Sequence, residues 1–101
     1  MKEGMTYECL EKELLEFLNK WFGGELGDTT IRTGKDGAKY SEYCGKNTIM
    51  WISMDGSPMY DLVNNGEDNW KFLNAFDKFL EARGFWYEQG HAWNMNIMRR
   101  K

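Results

Sequence analysis

The sequence has little of several things that usually announce a function. Its 101 residues include one proline, one histidine and two cysteines. No run of about 18 apolar residues is present, which excludes a transmembrane helix. The N-terminus has no apolar signal-peptide core, so the chain is expected to stay in the cytoplasm. Cys9 and Cys44 lack CxxC spacing, and in a chain without an export signal they read as reduced thiols, not a disulfide framework. With His91 they would supply three ligands, where structural zinc needs four. No metal is therefore expected.

Positive charge is also scarce. Thirteen Lys and Arg stand against sixteen Asp and Glu, for a net charge of -3. A protein that grips duplex nucleic acid is normally basic. The one basic cluster, Arg99-Arg100-Lys101, reads as a solvated end.

Catalytic patterns are missing as well. A nucleophile needs an adjacent base, most often histidine. His91 is placed near a hairpin turn, on the inner face beside Tyr87, where it reads as structural or solvated. Glu11, Glu13, Glu16, Glu67 and Asp68 lie on predicted helices, as solvating or first-turn charges. Gly34-Lys35-Asp36-Gly37 has no phosphate-loop frame around it. Gly23-Gly24-Glu25-Leu26-Gly27 follows a helix, so it cannot present a helix N-terminus to phosphate. Asn64 to Asp68 lacks the acidic spacing of a calcium loop. The expectation is a protein that is not an enzyme and uses no cofactor.

What the chain does have is aromatic side chains. Five Trp, five Tyr and six Phe accompany seven Met. Disordered chains are poor in aromatics, and about a hundred residues suffice for one hydrophobic core. A single domain over residues 1–101 is expected.

The pattern along the chain predicts its elements. A helix runs from about Thr6, its N-cap, to Phe22. Leu10, Leu14, Phe17, Leu18 and Trp21 form its apolar stripe, and Gly23-Gly24 ends it. Thr29, Ile31 and Thr33 alternate as a short strand. Residues 34–37 read as a turn, and 38–44 as a weak second strand. Residues 48–54 are the strongest strand. Ile49 and Trp51 lie on one face and Met50, Ile52 and Met54 on the other, so both faces are covered at least in part. Asp55-Gly56 reads as a hairpin-type turn. Residues 57–64 then read as an edge strand entered through Pro58, with a short helix capped by Ser57 as the alternative. A second helix is predicted from Gly66 to Arg83, capped by Asn65, with Phe72, Leu73, Phe76, Phe79 and Leu80 inward. Gly84 then lets Phe85 fold back on Leu80. A hairpin from Phe85 to Met98 closes the chain. A three-residue loop, Glu88-Gln89-Gly90, puts Phe85, Tyr87, Trp93, Met95 and Ile97 on its inner face and Trp86, Ala92, Asn94 and Asn96 on the other. The fold expected is α+β. An antiparallel sheet of about four to six strands carries two amphipathic helices on one face, in the order α-β-β-β-(β)-α-β-β.

Most aromatics fit the inward stripes, Trp21 and Trp93 among them. Trp51, Trp70 and Trp86 do not. Trp70 sits about 120° from its helix's stripe at 100° per residue. Trp51 and Trp86 face away from the predicted helices. Either the 34–47 segment folds over Trp51 and Trp86, or these tryptophans form an exposed patch. Three buried Trp represent roughly 450–750 Å², against a usual largest monomer patch of about 300–600 Å². An exposed patch would thus need a partner or a second copy of the chain. The candidate binding residues are Trp51, Trp70, Trp86 and Tyr60. The leading expectation is a protein-binding module with an acidic rim steering it to a basic partner. It could self-associate, or serve as an inhibitor of phage or mobile-element origin. The alternative is a single-stranded nucleic-acid binder that stacks bases on Trp51, Trp86 and Tyr60 beside Arg32, Lys35, Lys39 and Lys46.

Overall fold

The computed structural model describes residues 5–40, 44, 47–65 and 69–100, apart from the side chains of Tyr40, Asn65 and His91. The elements are α1 (Tyr7–Phe22), β1 (Thr30–Thr33), α2 (Gly34–Tyr40), β2 (Met50–Ser53), α3 (Pro58–Asn65), α4 (Asn69–Glu81), β3 (Phe85–His91) and β4 (Asn94–Arg99). The four strands form one antiparallel sheet in the order β1-β2-β4-β3. The architecture is the expected mixed α+β fold.

The helix α1 forms as its sequence dictates. Thr6 is extended and its hydroxyl accepts the Cys9 N–H at 3.2 Å. At the other end Gly23 takes φ 60°, and its N–H bonds the Asn19 carbonyl. A left-handed residue there lets the last carbonyls find donors, and glycine adopts it without a Cβ clash. Leu10, Leu14 and Leu18 are fully buried. Phe17 packs on Phe72, Phe76 and Phe79 of α4, while Arg83 reaches Glu13 at 2.6 Å. These contacts make α1 and α4 antiparallel neighbours on one face of the sheet.

That face carries the main core. Met50 and Ile52 from β2, Met95 and Ile97 from β4 and Phe85 from β3 meet the α1 and α4 stripes. Met59 and Val63 of α3 join the same cluster. Residues 57–64 are thus helical, not an edge strand. Ser57 decides this. Its hydroxyl donates to the Met54 carbonyl at 2.7 Å and accepts from the Tyr60 N–H, so it caps a helix whose first residue is Pro58. The chain turns at Gly56 with φ 72°, but into a helix and not a returning strand.

Two further expectations are corrected. Gly34-Lys35-Asp36-Gly37 is the first turn of α2, and residues 38–40 continue that helix in place of a strand. Asn65 is the last residue of α3 and helix α4 runs Asn69–Glu81; the predicted start at Gly66 and the cap role of the Asn65 side chain lie outside the described residues. The first-turn role assigned to Glu67 and Asp68 lies outside the described residues. The hairpin keeps its predicted facing along the paired strands, where Tyr87 pairs with Ile97 and Trp86 with Met98, but not at Trp93 in its turn. Its turn moves to Ala92-Trp93, while Gln89 to His91 absorb an irregularity within β3. The side-chain placement foreseen for His91 lies outside the described residues.

Candidate functional site

Register assigns each candidate to a face. Trp51 pairs with Asn96 and Arg32, so it lies on the face away from α1 and α4. That face is covered over β1 and β2 by α2. A Cβ added to Gly37 would sit 2.7 Å from the Trp51 Cβ and 2.8 Å from its Cγ. The glycine is what allows α2 to lie directly on the indole. A second ring closes the side, because Trp93 meets Trp51 edge-on at 5.8 Å. Trp51 is left 3% exposed. Trp93 thus belongs to the outer face with Trp51, not to the inner core. The segment after β1 does fold over Trp51, so the exposed three-tryptophan patch does not form.

The remaining candidates separate. Tyr60 on α3 is half-buried against the helical-face core, across the sheet from Trp51. Trp70 on α4 is 61% exposed, with Lys71 Nζ 5.7 Å from its ring centroid. Trp21, expected in the core, is 40% exposed and rests edge-on against Phe72. Leu15 is also exposed. Around α1, Leu15 and Trp21 stand about 120° apart, and Trp70 is about 180° around α4 from Phe79, which faces α1. They point in different directions and do not merge into one patch. Isolated apolar side chains of this kind are normal on a surface.

Trp86 is the candidate that lines open space. It is half-buried where β3 begins and β4 ends. A cleft of about 510 Å³ on one side is lined by Asn47, Ile49, Trp86, Met98, Arg99 and Arg100. A second, of about 360 Å³, is lined by Asp77, Trp86, Tyr87 and Arg100. Trp86 and Arg100 are common to both, so the two clefts meet at the open edge of β3. Arg99 and Arg100 are exposed, as expected of a solvated end. Each also makes a backbone contact: Arg100 Nε donates to the Phe85 carbonyl at 3.1 Å, and Arg99 Nη2 donates to the Met5 carbonyl at 2.9 Å. The Arg99 guanidinium also lies over the Phe85 ring at 5.1 Å. Among the described residues the larger cleft is lined by no acidic side chain, and Asp77 lines the smaller one. Arg99 and Arg100 are the cations beside Trp86.

Three titratable groups, one of them Tyr87 in the smaller cleft, are perturbed by burial. Burial, with lesser contributions from Glu11, Asp36 and Glu8, pushes the Tyr7 phenol up to about 12. Burial also raises Tyr87, with Asp77 adding to it. Cys44 is half-buried, and its Sγ donates to the Gly34 carbonyl at 3.3 Å. Burial raises its thiol, opposed by a hydrogen bond with Thr48. A raised thiol is a poorer nucleophile at neutral pH. Among the described residues no group of three or more His, Cys, Asp and Glu is placed to hold a metal ion, and no helix is long and apolar enough to cross a membrane. No family model, curated protein or solved structure matches this chain.

Proposed function

We propose that the protein is a non-enzymatic, cytoplasmic protein-binding module whose contact surface is the Trp86 corner of the sheet. The observation that carries this reading is the pair of clefts that meet at Trp86, walled by Ile49, Met98 and Tyr87 and rimmed by Arg99 and Arg100. Tryptophan and arginine in a partly desolvated pocket are the residue types that dominate interface energetics. A small domain of this kind suits an inhibitor, of phage or mobile-element origin, that occupies a host protein.

The nucleic-acid alternative has less support. Its three stacking residues are on separate surfaces: Trp51 lies under α2, Tyr60 on the helical face, and Trp86 alone at the corner. Its cations are dispersed too. Lys35 and Lys39 ride on α2, on the β1 and β2 side of the sheet, and Lys39 pairs with Asp36 at 3.9 Å. Lys46 lies outside the described residues. A base-stacking groove needs a continuous basic track.

The test is capture from a nuclease-treated cell lysate with the wild type, Trp86→Ala and Trp70→Ala. A protein retained by the wild type and Trp70→Ala but lost with Trp86→Ala is the predicted result. Retention unaffected by Trp86→Ala, or binding abolished by nuclease, would count against the proposal.

A further inference from the structure

We infer that β3 is a docking edge, and that the partner adds an extended segment of alternating apolar and acidic residues to it as a fifth strand. This rests on the protein-binding reading of the Trp86 corner and names its mode. The ladder itself supplies the first argument. The Arg100 N–H bonds the Gly84 carbonyl at 2.9 Å, one position beyond the Phe85–Arg99 pair. Hydrogen-bonded pairs alternate along an antiparallel ladder. The bonded positions on β3 are therefore Gly84, Trp86 and Glu88. The backbone groups of Phe85, Tyr87 and Gln89 then point away from β4, toward the open edge. The Phe85 carbonyl confirms the direction, since it accepts from the Arg100 side chain and not from β4.

The second argument is the shape beside that edge. Side chains of an added strand alternate between the two faces of the sheet. Trp86 faces outward and Tyr87 faces the helices. The larger cleft opens beside Trp86 and Met98, and the smaller beside Tyr87 and Asp77. A strand laid along β3 would have a recess for its side chains on either side. Main-chain bonds with pockets for alternate side chains are the physical basis of strand addition.

Charge sets the chemistry of the occupant. A guanidinium carries five N–H donors. Arg99 and Arg100 each have one side-chain bond to a backbone carbonyl and, among the described residues, no carboxylate within ion-pair distance. An alternating segment that puts its apolar side chains in the Ile49–Met98 recess turns its carboxylates to the helical face, where Arg99 lies over the Phe85 ring and Arg100 lines the smaller cleft, while Asp77 beside Tyr87 disfavours a carboxylate at that position. The opposite edge is a poorer candidate, because β1 has four residues and runs directly into α2.

The probe is a displayed library of random short linear peptides, selected on the whole protein. Enriched sequences should alternate apolar and acidic residues. Gln89→Pro removes an outward N–H without touching the β4 ladder, and Gln89→Ala is its side-chain control. With an enriched peptide, Gln89→Pro should bind about tenfold more weakly while Gln89→Ala stays within about twofold, the loss expected for main-chain pairing. Retained thermal unfolding of both variants verifies the fold, and peptides N-methylated at alternate positions give the same reading without any mutation. Equal binding by N-methylated peptides would overturn strand addition yet leave the Trp86 surface standing. Enriched peptides indifferent to Trp86→Ala would overturn both. Concentration-dependent dimers that protect the Tyr87 amide without peptide would replace the partner by a second copy. Tighter binding of single-stranded oligothymidine than of any peptide would refute a protein occupant.

Discussion

Gly37→Ala tests the contact that takes Trp51 out of play. In the interior of an isolated helix this change stabilises by about 0.8–1.0 kcal/mol, because glycine has more backbone entropy to lose. Here the new methyl would lie 2.7 Å from the Trp51 Cβ. That atom is fixed to the β2 backbone, so no rotamer change moves it away. Either α2 lifts or β2 shifts, and overpacking of this sort costs about 1–3 kcal/mol. The sum predicts destabilisation of up to about 2 kcal/mol in the wild type. In a Trp51→Ala background the Cγ and ring contacts disappear while the Cβ contact remains, so the cost of the same change should fall without reaching the intrinsic stabilising value. The assay is urea unfolding followed by far-ultraviolet circular dichroism for the four members of the double-mutant cycle. A coupling of at least about 1 kcal/mol is expected. Equal effects of Gly37→Ala in both backgrounds, within about 0.5 kcal/mol, would refute the packing of α2 on Trp51.

Other outcomes follow from single contacts. Ser57→Ala removes the α3 cap and should cost about 1–2 kcal/mol in denaturant unfolding, since it strands the Tyr60 N–H as well. Trp70→Ala should stay within about 0.5 kcal/mol, whereas Trp21→Ala should lose about 0.5–1.5 kcal/mol through its edge contact with Phe72 beyond any area term. The Tyr7 phenol titrates near 12 in the fold against 10.0 ordinarily. The fold therefore favours its neutral form. That contribution is complete below pH 10.0 and disappears as pH rises toward about 12. Ultraviolet titration should show a phenolate fraction appearing late, and Tyr7→Phe should reduce it, leaving the Tyr87 contribution, and lessen the alkaline fall in stability.

The helices with strong stripes were legible because local and tertiary demands agree there. Thr6, Leu10, Leu14, Leu18 and Gly23 each act in the fold as their type and spacing suggest. The same holds for Phe72, Phe76 and Leu80, and for the two-faced β2. Glycine misled at α2. Gly34 and Gly37 read as turn residues, yet they are there for close approach. A Cβ on Gly34 would fall on the Thr48 carbonyl, and one on Gly37 would strike Trp51. Both neighbours are distant in sequence, so nothing local announces the need. At Asp55-Gly56 a hairpin signal preceded a helix cap, and Ser57-Pro58 carried the better information. The site was half legible. Trp86 was singled out correctly as outward-facing, but Ile49, Met98, Arg99 and Arg100 reach its corner only through strand pairing. Net charge could not place Arg99, Arg100 and Asp77 together at this corner, because a whole-chain sum says nothing about where individual charges lie.

The most direct test of the Trp86 corner as the binding surface is backbone amide shift mapping of the whole protein with a selected peptide. The account predicts the largest shifts at Ile49, Trp86, Tyr87, Met98, Arg99 and Arg100, and none at Trp21 or Trp70. Shifts centred on Trp70 or Trp21, with the β3 edge unmoved, would contradict it.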